Sequence, residues 1–143
     1  MELFRCYIQV DNHLTKKNHM SNWNGRISKN RELSVAESVM LQRLHIARLK
    51  SGLKEPINQD ILVRFSFFFK NYWTKPRSKK EIPRRSEKLG DLSNLYQLPE
   101  DCLTKSLIIR DDCLICSHDG SRRLPGQENG LEIVIYAFEE IPY

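Results

Sequence analysis

The stretch Ile61-Leu-Val-Arg-Phe-Ser-Phe-Phe-Phe69 places Ile61, Val63, Phe65, Phe67 and Phe69 at alternate positions. Side chains along a strand point alternately to its two faces, so these five residues share one face, and a face that apolar has to be core. The segment therefore reads as a strand inside a sheet. Ser66 interrupts the apolar run, and Arg64 and Lys70 flank it. Nothing here approaches the roughly 20 apolar residues that a membrane-spanning helix requires.

The rest of the chain arranges itself around this strand. Upstream, Phe4 to Val10 alternates loosely and is rich in β-formers, which predicts a first strand. Ser34 to Ser51 carries Val35, Val39, Leu41, Leu44, Ile46, Ala47 and Leu49 at near-helical spacing, with Ser34 and Glu37 in capping-box positions and Gly52 as the stop. That predicts a helix, with His45 on it as a partly buried or solvent-facing side chain. Downstream of Asp91, Leu92, Leu95, Leu98, Cys102 and Leu103 fall on one helical face. Pro99 cannot sit inside a regular helix without loss of a hydrogen bond, so the reading is a kink, or a turn ending near Gln97 and a new helix with Pro99 in its first turn.

Leu107 to Ile109 and Cys113 to Ser117 read as short strands joined at Arg110-Asp111-Asp112, and Leu131 to Phe138 as the last strand. Asp119 to Gly130 reads as a turn-rich loop carrying Arg122 and Arg123. The order strand, helix, strand, helix, strand, strand predicts an α+β fold, a mixed two-layer arrangement of one sheet with two helices packed on it. At 143 residues and 40% hydrophobic composition, residues 1–143 are expected to form one domain with its own core.

The N-terminus lacks the pattern of a secretory signal, which leads to the expectation of a soluble, cytoplasmic protein whose four cysteines are reduced. Cys113-Leu-Ile-Cys116, with His118 nearby, has a spacing that zinc can use. There is no second cysteine pair, and in a strand residues 113 and 116 face opposite sides. Buried or half-buried thiols are the expected state.

Charge is concentrated. The net charge is +5, yet the segment from Lys70 to Lys88 alone is +6, with eight basic residues against Glu81 and Glu87. Lys75, Arg77, Lys79, Lys80, Arg84, Arg85 and Lys88, interleaved with Tyr72, Trp73, Pro76 and Pro83, read as an extended arm with the electrostatic footprint of a polyanion-binding surface, or as a solvated basic loop. Asp11 to Arg31 has no periodicity and reads as a long loop. Lys16 and Lys17 give it phosphate-binding chemistry, and Trp23 is either a stacking surface or tucked onto the core.

Just after the basic arm comes Gly90-Asp-Leu-Ser-Asn-Leu-Tyr-Gln97, and 21 residues beyond Asp91 stands Asp112, second of the pair Asp111-Asp112. Phosphodiester hydrolysis needs charge neutralisation and an activated water, and a divalent ion held by one or two carboxylates supplies both. Asp91 and Asp112 are candidates for that work. Their spacing alone equally fits a helix N-cap at Asp91 and a turn at Asp111-Asp112.

From Gly90 to about Cys113 the chain resembles the RusA family of Holliday-junction endonucleases. That family shows Asp-x-Asp-Asn-Leu-x-Lys at a helix start, then a Leu-Thr-Lys-like helix end, a few apolar residues and an Asp-Asp pair. Here Asp91-Leu-Ser-Asn94-Leu95-Tyr-Gln97, Leu103-Thr104-Lys105, Leu107-Ile-Ile109 and Asp111-Asp112 follow in that order without a gap. The resemblance implies that Asp91 and Asp112 are catalytic and hold Mg2+ or Mn2+, with Asn94 as the motif asparagine. It implies branched DNA as the partner, an endonuclease role in recombination and repair, and a homodimer. The symmetry of a four-way junction matches a two-fold enzyme. Two positions depart from the family pattern. Ser93 stands in place of a second catalytic aspartate, and Gln97 in place of a catalytic lysine. A hydroxyl is a weak neutral ligand and an amide carries no charge, so the alternative is a relative that binds junctions or protein partners without cutting.

Overall fold

The structure is a computed structural model that describes residues 1–15, 20–23, 26–75 and 78–139. Strand β1 (Glu2–Gln9) opens the chain, followed by β2 (Met20–Trp23) and β3 (Arg26–Lys29), helix α1 (Arg31–Ser51) and strand β4 (Ile61–Phe69). Two helices, α2 (Leu92–Leu95) and α3 (Gln97–Lys105), precede β5 (Ile115–Ser117), β6 (Arg122–Pro125) and β7 (Gly130–Ala137). The mixed α+β expectation holds.

Strand β4 is central. On one side it pairs antiparallel with β7, which pairs antiparallel with β1. On the other side β5 and β6 both run parallel to it, one beside each end. Ile61, Val63, Phe65, Phe67 and Phe69 are all buried, as their alternation predicts, and meet Ile133 and Ile135 of β7 in the core. The opposite face is wetter: Arg64 lies over the Tyr136 ring at 5.2 Å and donates to the Asp119 carbonyl. One face of the sheet thus carries the core, which is the two-layer solution.

The N-cap of helix α1 lies four residues before the Ser34 of its capping-box reading. Asn30 is the N-cap, its side chain accepting from the Leu33 amide, and Gly52 ends the helix in the left-handed conformation. Ser34 and Glu37 form no capping box. The buried stripe is Leu33, Glu37, Met40 and Leu44, whereas Val35, Ile46 and Leu49 are exposed. The apolar residues are spread around the helix, and Glu37 belongs to the buried face because Lys105 Nζ reaches its carboxylate at 2.5 Å, tying α1 to the end of α3.

Three further expectations change. Met20–Trp23 and Arg26–Lys29 pair as an antiparallel two-stranded sheet inside the stretch read as a long loop. The sheet's apolar residues, Met20, Trp23 and Ile27, do not alternate and so do not reveal it. The segment read as a strand at Leu107 to Ile109 is a turn with one parallel bridge from Ile109 to Ile57, and Leu107 takes a positive φ of 62°. Asp119 to Gly130 is not all loop, since it contains β6.

The cysteines also differ from expectation. Cys102 is buried and Cys6 half-buried, its thiol pushed up to about 12 by burial. Cys113 and Cys116 are exposed, because residues 112–114 form a 3₁₀ turn and only Ile115–Ser117 pair, at the sheet edge. No helix of the described residues is long and apolar enough to cross a membrane.

His13 gives the fold a pH dependence. Its ring stands edge-on to Phe67 at 5.4 Å and lies 4.6 Å from Phe69, and Nε2 contacts the Phe68 carbonyl at 2.8 Å. Burial lowers its pKa from 6.5, outweighing the carbonyls of Phe68 and Gly130. Between the folded and unfolded values the unfolded chain binds more protons, so stability is full above the unfolded pKa and falls as pH drops below it. Urea unfolding at pH 7.5 and 5.5 should show a drop in midpoint that is smaller in His13→Gln. An equal drop in both proteins would remove His13 as the cause.

Candidate nucleic-acid and metal site

The basic segment doubles back on itself. The Thr74 amide donates to the Arg84 carbonyl at 2.7 Å, the Ser86 amide to the Tyr72 carbonyl at 2.8 Å, and Trp73 bridges Arg85 in antiparallel register. The arm is therefore hairpin-like where an extended path was expected, since its backbone groups find partners within the arm. Lys75, Lys79, Lys80, Arg84, Arg85 and Lys88 are all exposed on it, and Trp73 is 54% exposed beside Tyr72. Lys16, Lys17 and Arg77 lie outside the described residues, as do Asn18, His19 and Pro76.

The arm runs directly into Asp91. Ser86 caps a 3₁₀ turn at Glu87–Leu89, buried Leu89 anchors it, and Gly90 turns the chain with φ 84°. Asp91 then takes the N-cap position of α2, and its carbonyl accepts from Asn94 and Leu95. Its side chain makes no capping bond. A carboxylate at an N-cap that leaves the amides alone remains available for other work. Asp91, Ser93 and Gln97 are exposed and Asn94 half-exposed.

Helix α2 stops at Leu95, and α3 starts at Gln97 with Pro99 in its first turn. This is the second of the two paths read from Pro99, since proline is tolerated where amides have no partner in the helix. Tyr96 fills the corner, its ring 4.2 Å from the His118 ring and 5.6 Å from Phe65.

Asp112 opens the 3₁₀ turn Asp112–Leu114, which packs against α3, as α2 does. Asp91 and Asp112 thus stand on two elements that share α3 as a support. Asp111 caps the turn by accepting from the Cys113 amide at 2.9 Å, and that bond, with the hydrogen bond from Asp112, holds its carboxyl below the ordinary range. Asp112 is raised, first by its hydrogen bond with Asp111, then by slight burial and by the negative charges of Asp111 and Glu100. A carboxyl raised by neighbouring carboxylates marks crowded negative charge. A divalent cation would relieve it.

Asp91 and Asp112 offer carboxylate oxygens, the donor type of a hard divalent ion. The site is not a closed cage: among the described residues no group of three or more His, Cys, Asp or Glu side chains is gathered to hold a metal.

Sequence reasoning missed the pair that Glu100 makes with His118. His118 Nε2 lies 2.6 Å from Glu100 Oε1, and Nδ1 lies 3.0 Å from the Val63 carbonyl. The contact ties the first turn of α3 to β4 and carries a carboxylate toward Asp112. In the sequence His118 stands out only for its closeness to the cysteines, and nothing local couples positions 100 and 118.

Fold and site together describe a mixed α+β protein with an exposed carboxylate, Asp91, where a basic hairpin meets a helical corner, and a second, Asp112, on a turn packed against α3. The model of a family described as endodeoxyribonuclease RusA matches residues 12–136 of the 143. The chain belongs to the RusA endodeoxyribonuclease family. No curated protein matches it.

Proposed function

We propose that this chain is a single-domain, divalent-metal-dependent endonuclease that acts on branched DNA, four-way junctions in particular, as a cytoplasmic homodimer serving recombination and repair. The observation that carries the reading is the site of a RusA family member in which Asp91 is exposed at a helix start, uncommitted to capping, at the end of a basic hairpin. Asp91 and Asp112 would hold Mg2+ or Mn2+, which supplies neutralisation of phosphate charge and an activated water. The chain's own residues do the rest. Lys75, Lys79, Lys80, Arg84, Arg85 and Lys88 attract and position the backbone, and Lys16, Lys17 and Arg77 add phosphate-binding charge in the sequence. Asn94 presents an amide that can orient a phosphate or water without adding negative charge.

Ser93 and Gln97 favour a second reading, in which the protein binds junctions or protein partners without cutting. A mixture of labelled four-way junction and linear duplex separates the two. The endonuclease reading expects the junction to be bound preferentially and cut only with added magnesium or manganese. Preferential binding with no cut strand in either metal supports the second reading, and equal treatment of both DNAs contradicts structure selectivity.

A further inference from the structure

Gln97 stands where the resembling family has a lysine, and the fold brings a cation from a different element to the peptide that leads into Asp91. Strand β6 runs parallel to β4 with Phe67 opposite Arg123 and Ser66 opposite Arg122. Residues paired across parallel strands point to the same face, so Arg123 shares the face of Phe67, which is buried and stacked on Tyr96 at 6.2 Å. That face carries the corner between α2 and α3. Arg122 points the other way and is exposed.

The contact is specific. Arg123 Nη1 donates to the Gly90 carbonyl at 2.6 Å, on the peptide that leads into Asp91. A guanidinium has five N–H donors in a rigid fork, and this bond uses one. Among the described residues Arg123 makes no ion pair with a carboxylate. The half-buried side chain thus brings a permanent charge to the peptide before Asp91 and retains donors suited to a phosphate.

We infer that Arg123 binds a non-bridging oxygen of the DNA phosphodiester at the candidate site and supplies the positive charge that Gln97 lacks. The inference rests on the endonuclease reading of the site. Charge developing on phosphate oxygens in the transition state is stabilised by a fixed cation, and one already anchored by Gly90 needs no reorganisation to act.

The test uses the full chain and its variants Arg123→Gln, Arg123→Lys, Arg122→Gln and Arg123→Gln with Gln97→Lys, each checked for folding by circular dichroism. Junction affinity is measured against salt in calcium, and single-turnover cleavage in magnesium. Arg123→Gln should slow cleavage by about a hundredfold or more and lower the salt slope by about one. Arg123→Lys should stay within about tenfold of the parent, Arg122→Gln should cleave like it, and adding Gln97→Lys should recover at least about tenfold of the loss. That recovery separates a phosphate contact from a brace for Gly90, because a lysine at position 97 cannot restore a bond made by residue 123. Parent-like cleavage and slope in folded Arg123→Gln overturn the inference, as does a folded double variant with no recovery. If Arg123→Gln fails to fold, a folded Arg123→Lys decides: near-parent cleavage supports the inference, and a hundredfold loss overturns it. If the parent cuts nothing, the endonuclease reading fails separately. The salt slope then decides, its fall in Arg123→Gln and return with Gln97→Lys supporting the contact and an unchanged slope overturning it.

Discussion

Asp91→Asn and Asp112→Asn should each reduce metal-dependent junction cleavage by about a thousandfold or more while leaving junction affinity equal or tighter. Both substitutions keep side-chain shape and remove one negative charge. A divalent ion held by only two carboxylates loses a large part of its binding when one becomes an amide, and the phosphate it would have neutralised loses its partner. The same change removes repulsion between the site and the DNA backbone, which explains why binding should not weaken. Neither carboxylate supports the fold through a capping bond at Asp91 or through burial at either position, so thermal unfolding should change little. Single-turnover cleavage and junction binding, measured on folded variants, check this. Loss of binding together with loss of fold would assign both residues to structure.

Replacing Lys79, Lys80, Arg84 and Arg85 together with glutamine should weaken junction binding at 0.1 M salt by at least about tenfold and reduce the slope of log affinity against log salt by about two to four. For every phosphate that a cation no longer neutralises, binding releases about one counterion fewer. All four side chains are exposed, and the hairpin that carries them is held by backbone bonds between Tyr72 and Ser86 and between Thr74 and Arg84. The substitutions therefore leave the arm's frame intact. A slope equal to the parent's would exclude these four residues from the interface, and the solvated-loop reading of the arm would stand.

What is legible in the sequence follows from how local each signal is. The alternation in Ile61 to Phe69 announces β4 because one strand face must be dry, and Pro99 announces the break between α2 and α3 because a missing amide is tolerated only in a first turn. Helix α1 is legible as a helix, but its buried face is not. Glu37 holds a place in the stripe by virtue of Lys105, 68 residues away in sequence. Strands β2 and β3 pair with each other and carry Met20, Trp23 and Ile27 at no alternating spacing, so they leave no apolar period. At the candidate site, motif order singles out Asp91 and Asp112 as the proposed metal ligands. The contacts of Arg123 with Gly90 and of His118 with Glu100 and Val63 are not legible, because they depend on β5 and β6 lying beside β4, an outcome of sheet assembly and not of spacing. Such nonlocal contacts leave no local period or spacing to read.

The proposed activity requires this site to cut branched DNA with a metal ion. The measurement that tests it most directly is a single-turnover reaction of the unaltered protein with a mobile four-way junction labelled separately on each strand, in magnesium, in manganese and in excess chelator. Nicks are expected at symmetrically related positions on two opposing strands in either metal, and none with chelator. A junction that is bound and remains intact in both metals would contradict it.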